Sequence, residues 1–158
     1  MGDSFAVSEI VEIGVQIEIN GRDFYQKAAE KTKDFGVKEI FEWLGKEEEA
    51  HISTFQKILD SAHKYEPRGA YPDEYFSYMN TLAEGHVFTK ENTGLAVAEN
   101  TASDSEAIEL GIKFENESII FYEEMEKIVH AEDKTLLDQL IDQEKIHLQK
   151  LQVFKKDL

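Results

Sequence analysis

WLGKEEEAHISTFQ, residues 43–56, and QLIDQEKIHLQKLQ, residues 139–152, are copies of one another. Laid on each other they pair Leu44 with Leu140, Glu48 with Glu144, His51 with His147 and Gln56 with Gln152. A second pair of stretches repeats in the same way. EIVEIGVQIEINGRDFY at 9–25 lies on EAIELGIKFENESIIFY at 106–122, matching Glu9, Glu12, Gly14, Glu18, Phe24 and Tyr25 with Glu106, Glu109, Gly111, Glu115, Phe121 and Tyr122. A unit of two segments has been duplicated, so a site at the centre of the molecule receives the same groups from both halves.

Each segment carries apolar residues at helical spacing. Ile10, Gly14, Ile17, Gly21, Phe24 and Ala28 make one stripe; Ile40, Leu44, Phe55 and Leu59 a second; Ile108, Ile112, Ile119 and Met125 a third; Leu137, Leu140, Leu151 and Phe154 a fourth. Both prolines, Pro67 and Pro72, fall in the middle of the chain, which leaves the segments on either side free to run as long helices. The pattern predicts helices over about 7–32 and 36–61, with a third opening at the Ser-x-x-Glu capping box of residues 103–106. Short breaks at KTKDFG and HAEDK make two antiparallel hairpins, about 7–61 and 103–157. Between them a crossover of about 62–102 carries its own short helix from about Asp73 to Glu84. The expected fold is all-α, a four-helix bundle in one domain spanning 1–158.

Composition narrows the function. A net charge of −16 opposes a nucleic-acid surface, because phosphates select Lys and Arg. No run is long and apolar enough for a membrane span, and the first residues lack a basic leader, so a soluble cytoplasmic protein is expected. With no cysteine, a metal would be held by oxygen and imidazole nitrogen alone.

Six polar residues interrupt the stripes. Glu48 and His51 fall between Leu44 and Phe55, and Glu144 and His147 between Leu140 and Leu151. Glu18 lies between Gly14 and Gly21, and Glu115 between Ile112 and Ile119. All six face one interior, whereas Glu47 and Glu49 are expected in solvent. An uncompensated ionised carboxylate in a low-dielectric core costs several kcal/mol even after relaxation. No lysine or arginine falls on the stripes at that level. Two divalent cations would balance the four carboxylates, with the two imidazoles as further ligands. In Glu-x-x-His the two side chains sit on adjacent turns of one helix face, so the Glu can bridge two ions while the His ligates one. A single Glu-x-x-His among 23 glutamates and five histidines is close to what chance supplies. Two at equivalent positions of a repeat, inside core stripes, are not.

These residues resemble the rubrerythrin branch of the ferritin-like superfamily. The resemblance rests on Glu18 with Phe24 and Tyr25, EEAH at 48–51, Glu115 with Phe121 and Tyr122, and EKIH at 144–147, and it covers nearly the whole chain. It implies a ferritin-like bundle with a dinuclear site. Glu18 and Glu115 would be terminal ligands, Glu48 and Glu144 bridging ones, and His51 and His147 would each cap one metal. Tyr25 and Tyr122, about two turns beyond Glu18 and Glu115, would hydrogen-bond ligand carboxylates. The metal implied is iron, with manganese or zinc also permitted by the ligands.

The implied activity is that of a di-iron oxidoreductase that reacts with hydrogen peroxide or dioxygen. The cysteine-rich iron domain of full-length rubrerythrins has no counterpart in this sequence, which implies a separate electron-donor protein. Ser118 and Ile119 stand where peroxidase-type members carry an additional carboxylate. Ferroxidase activity with iron storage is the first alternative; the doubled Glu-x-x-His is unlike ordinary ferritins. A helical interaction module with a purely structural metal is the second. A homo-oligomer is admitted but not specified. His63, His86 and His130 lack the Glu-x-x-His context and are expected at the surface or in the crossover.

Overall fold

The computed structural model describes residues 7–64 and 73–157; Pro67 and Pro72 lie outside the described residues. Its elements are α1 (Val7–Lys31), α2 (Phe35–Lys64), α3 (Asp73–Glu84), α4 (Gly94–Glu99), α5 (Asp104–Met125) and α6 (Ala131–Lys156). α1 packs on α2 and α5 on α6, and the two pairs meet through α1 with α5 and α2 with α6. The fold is the expected all-α four-helix bundle. Among the described residues no helix is long and apolar enough to cross a membrane.

The helix ends follow local chemistry. Asp34 caps α2, its Oδ1 accepting from the Val37 N–H at 3.0 Å. Ser103 caps α5 by accepting from the Glu106 N–H at 3.1 Å, and the Glu106 carboxylate reaches back to the Ala102 N–H. His130 caps α6, its Nδ1 facing the Glu132 N–H at 3.4 Å. α2 runs on to Lys64, beyond the expected end, because Ile58 and Ala62 continue its buried face.

The stripes supply the core. Ile10, Ile17, Phe24, Ala28, Leu44, Phe55, Ile108, Ile119, Met125, Leu137, Leu140 and Leu151 are buried. Ile40, Leu59, Ile112 and Phe154, read as core, are half-buried and pack against its edge.

The described part of the crossover holds one more helix than its sequence suggests. α3 occupies the expected residues and ties to α5 through Tyr75 Oη, which donates to the Glu124 carbonyl at 2.7 Å. α4 was not expected; it lies against α1. Lys31, at the end of α1, donates to the carbonyls of Ala98, Glu99 and Thr101 at 2.8–2.9 Å and so ties the end of α4 to α1. At its start, the Gly94 N–H donates to Asn20 Oδ1 at 3.1 Å, and a Cβ on Gly94 would collide with the Asn20 carbonyl oxygen. Backbone cannot yield as a side-chain tip can. Gly94→Ala is therefore expected to cost about 1–3 kcal/mol, read as a lower urea midpoint with an unchanged slope. A midpoint equal to that of the parent would show that α4 is not seated on α1.

Candidate metal centre

Glu18 on α1, Glu48 and His51 on α2, Glu115 on α5, and Glu144 and His147 on α6 converge at the bundle centre. The four carboxylates are 0% exposed and the two histidines 1–2%. Glu18, Glu48, His51 and Glu144 form one group able to hold an ion; Glu48, Glu115, Glu144 and His147 form another. Within each group the facing atoms lie no more than 4.8 Å apart. Glu48 and Glu144 belong to both.

The histidines turn the same nitrogen inward. His51 Nδ1 is 2.7 Å from Glu144 Oε1 and 3.5 Å from Glu18 and Glu48. His147 Nδ1 is 3.3 Å from Glu48, 3.6 Å from Glu115 and 3.7 Å from Glu144. The two rings stack at 5.4 Å, 14° from parallel.

Each tyrosine serves the ligand of the opposite half. Tyr25 on α1 donates to Glu115 Oε1 on α5 at 2.7 Å, and Tyr122 on α5 donates to Glu18 Oε1 on α1 at 2.5 Å. These crossed bonds pair 18 with 122 and 25 with 115, so α1 and α5 run antiparallel. The helical offset had placed each tyrosine on the face of its own glutamate; only the pairing of helices decides that it reaches the other.

Whether these residues suit a metal is answered by their unmet polar atoms. Among the described residues, every buried side-chain nitrogen or oxygen without a hydrogen-bond partner belongs to these six residues. They are Oε2 of Glu18 and Glu115, both oxygens of Glu48 and Glu144, Nδ1 of His51, and both nitrogens of His147. Buried polar groups are normally paired, and a converging set of orphaned oxygen and nitrogen donors suits hard or borderline cations.

The electrostatics of the metal-free site point the same way. Burial first, then neighbouring carboxylates, pushes Glu48 and Glu144 well above the ordinary carboxyl range. Burial also opposes ionisation of Glu18, but the neighbouring Glu48 carboxyl, the His51 imidazole and the Tyr122 hydroxyl hold it below its usual value. Burial opposes charging of His51 and His147 too; the carboxylates beside them outweigh it and raise both. Tyr25 and Tyr122 are pushed up by burial and by the carboxylates beside them, so both stay protonated donors.

Three residues add to the sequence reading. His86, expected at the surface or in the crossover, lies in the crossover and is buried, with Nε2 3.3 Å from Ser118 Oγ and Nδ1 accepting from the Phe88 N–H at 3.3 Å. Burial lowers its pKa to about 4, so it is neutral. Ser118 donates to the Phe114 carbonyl at 2.7 Å. The position of the additional carboxylate thus holds a neutral, hydrogen-bonded serine–histidine pair. Glu47, expected in solvent, lies 3.8 Å from His147 Nε2 with its side chain 36% exposed. Gln143, not singled out from the sequence, lies 2.6 Å from His51 Nε2. The repeat held a signal for both, since each immediately precedes a Glu-x-x-His. Glu49 does face outward, paired with Arg22 at 2.8 Å.

The family model for rubrerythrin matches residues 9–155, and the chain belongs to that family. No curated protein matches it. Among solved structures, a hypothetical protein of Pyrococcus furiosus is 26% identical with a TM-score of 0.69, over 96% of this chain and 89% of that one. A protein of Thermotoga maritima assigned as ferritin-like and diiron-carboxylate is 23% identical with a TM-score of 0.70, over 99% of this chain and 98% of that one. At that identity the likeness speaks for the fold. Family membership and the buried Glu/His cluster together point to a dinuclear metal site.

Removing metal should make stability depend on pH in a set direction. Glu48 and Glu144 are raised above 4.5, and His51 and His147 above 6.5. Such groups stabilise the fold fully below the unfolded value and lose that contribution as pH rises through the folded one. His86, lowered from 6.5 to about 4, acts oppositely between those values. The metal-free protein is therefore expected to melt higher as pH falls from about 9 towards 6.5, with the gain blunted below that. A melting temperature of metal-free protein that rises with pH over this range would contradict the shared interior. Separately, Tyr25→Phe and Tyr122→Phe each remove a bond to a carboxylate and should cost about 1–3 kcal/mol in denaturant unfolding.

Proposed function

We propose that the chain holds two iron ions at this centre and reduces hydrogen peroxide or dioxygen with electrons from a separate donor protein. The observation that carries this reading is the membership of Glu48 and Glu144 in both ligand groups. Carboxylates common to both groups are what a pair of ions would share. In this reading Glu48 and Glu144 would serve both ions, Glu18 and His51 would complete one position, and Glu115 and His147 the other, each histidine through Nδ1.

Two ferrous ions bound there would supply two electrons together, which with two protons suffice to reduce one hydrogen peroxide to two waters. Iron is favoured over manganese or zinc by the family and by the diiron-carboxylate assignment of the Thermotoga relative. The protein's part is geometry and dryness. Tyr122 and Tyr25 fix one oxygen each of Glu18 and Glu115, leaving the other free to ligate. Phe41 stacks on Tyr25 at 5.9 Å and Phe55 lies 4.9 Å from Tyr122, which surrounds the tyrosine bonds with apolar rings and keeps water from competing for them. With no cysteine to hold a thiolate-ligated iron relay, the electrons would come from another protein, as a reducing cytoplasm provides.

Two tests address the reading. Iron-loaded protein is expected to contain two ions per chain. Glu48→Ala or Glu144→Ala should disturb both, and His51→Ala or His147→Ala mainly one, by metal analysis after gel filtration. Retention of two ions in Glu48→Ala would rule out bridging. Di-ferrous protein prepared without oxygen should then oxidise faster than free ferrous iron when mixed with either oxidant in stopped-flow absorbance, and stay ferric until reductant is added. Oxidation no faster than that of free ferrous iron would leave a structural metal in place of the enzyme.

A further inference from the structure

The two halves of the bundle deliver the same ligand types, but different residues meet the outer nitrogens of the histidines. Gln143 Oε1 lies 2.6 Å from His51 Nε2, and Glu47 Oε1 lies 3.8 Å from His147 Nε2. Gln143 and Glu47 occupy equivalent places in the repeat, each just before a shared glutamate, Glu144 or Glu48. Each histidine is thus faced from the opposite hairpin, His51 Nε2 by a neutral amide at hydrogen-bonding distance and His147 Nε2, which has no hydrogen-bond partner, by a nearby carboxylate.

We infer that Glu47 and Gln143 are positioning residues for His147 and His51, and that their difference makes the two metal positions unequal, the one at His147 binding its ion more tightly. This rests on the dimetal reading above. An imidazole that ligates through Nδ1 carries its proton on Nε2, so Nε2–H must donate. An acceptor there holds the ring in its ligating orientation and increases the electron density on Nδ1, and an anionic acceptor does so more than an amide. At 3.8 Å Glu47 is beyond direct hydrogen-bonding distance. His147 Nε2 has no hydrogen-bond partner, so across that gap Glu47 acts on the imidazole through its charge. Trp43 holds the same ring edge-on at 5.2 Å, under Lys150 at 5.0 Å from the indole, so the His147 ring has little freedom to turn away.

The test is titration of metal-free protein with Co2+, followed by calorimetry and by visible absorption of the bound ion. The parent is compared with Glu47→Gln, Gln143→Glu, the double exchange, and Glu49→Gln, which removes the same charge from a side chain that faces Arg22. Expected are two binding steps. Glu47→Gln should weaken the first about tenfold, Gln143→Glu should strengthen the second about tenfold, and the double exchange should restore the parent ratio. Glu49→Gln should change neither. Melting temperatures of the metal-free variants should match the parent, since the exchanged side chains are partly exposed and of equal size. Steps unmoved by Glu47→Gln and Gln143→Glu overturn the inference. So does an equal effect of Glu49→Gln, or an effect of Glu47→Gln on the second step alone. Uptake of fewer than two Co2+ ions by the parent instead removes the dimetal reading, and the inference with it.

Discussion

Four carboxylates share one dry interior, and much of the structure can be understood as the means of making that tolerable. An isolated buried carboxylate costs several kcal/mol, and like charges close together cost more. The molecule answers with two imidazoles turned inward and two tyrosine hydroxyls on the terminal glutamates. Among the described residues the unmet donors, His147 Nε2 apart, face one another. Hydrogen bonds from the protein therefore complete only the outer edge of the cluster, and the inner edge is left for cations. A core that satisfied Glu48 and Glu144 with its own donors would be a more ordinary bundle and would have nothing with which to hold an ion.

Duplication is the geometric route to this arrangement. The antiparallel pairing of α1 with α5 places Tyr25 beside Glu115 and Tyr122 beside Glu18 in one operation, and the facing of α2 and α6 brings Gln143 to His51 and Glu47 to His147. Each of these approaches has a counterpart in the other half, so a pair of similar metal positions is the default. Differences between the halves then become the informative positions. Glu47 against Gln143 is one such difference. The crossover is another, since it lays α4 on α1 and buries His86 against Ser118 on α5, with no counterpart among the described residues.

His86 shows how the crossover contributes to the centre's surroundings without supplying a ligand. Phe88 and Phe114 pack beside the imidazole at 6.4 and 5.5 Å, and both ring nitrogens have partners. The pair fills the space one turn beyond Glu115 with neutral groups. An additional carboxylate there would have raised the negative charge that the cations must balance; the serine keeps it at four.

Several features were legible in the sequence because they depend on period and chemistry alone. The repeat, the helical stripes, the Ser103 cap and the six interrupting residues are properties of order along the chain, and a carboxylate inside an apolar stripe signals compensation wherever the stripe goes. No lysine or arginine lay on the stripes to supply it, which pointed to metal ions as the compensation. The tertiary structure decided what depends on which helix faces which. The crossing of the tyrosines, the approach of Glu47 and Gln143 to the histidines, the burial of His86 and the seating of α4 on α1 all join residues far apart in the chain. Helical periodicity gives the face on which a side chain lies but not the neighbour it meets, and a residue at the edge of a stripe, as Glu47 is, is turned inward or outward by a packing angle that no local pattern encodes.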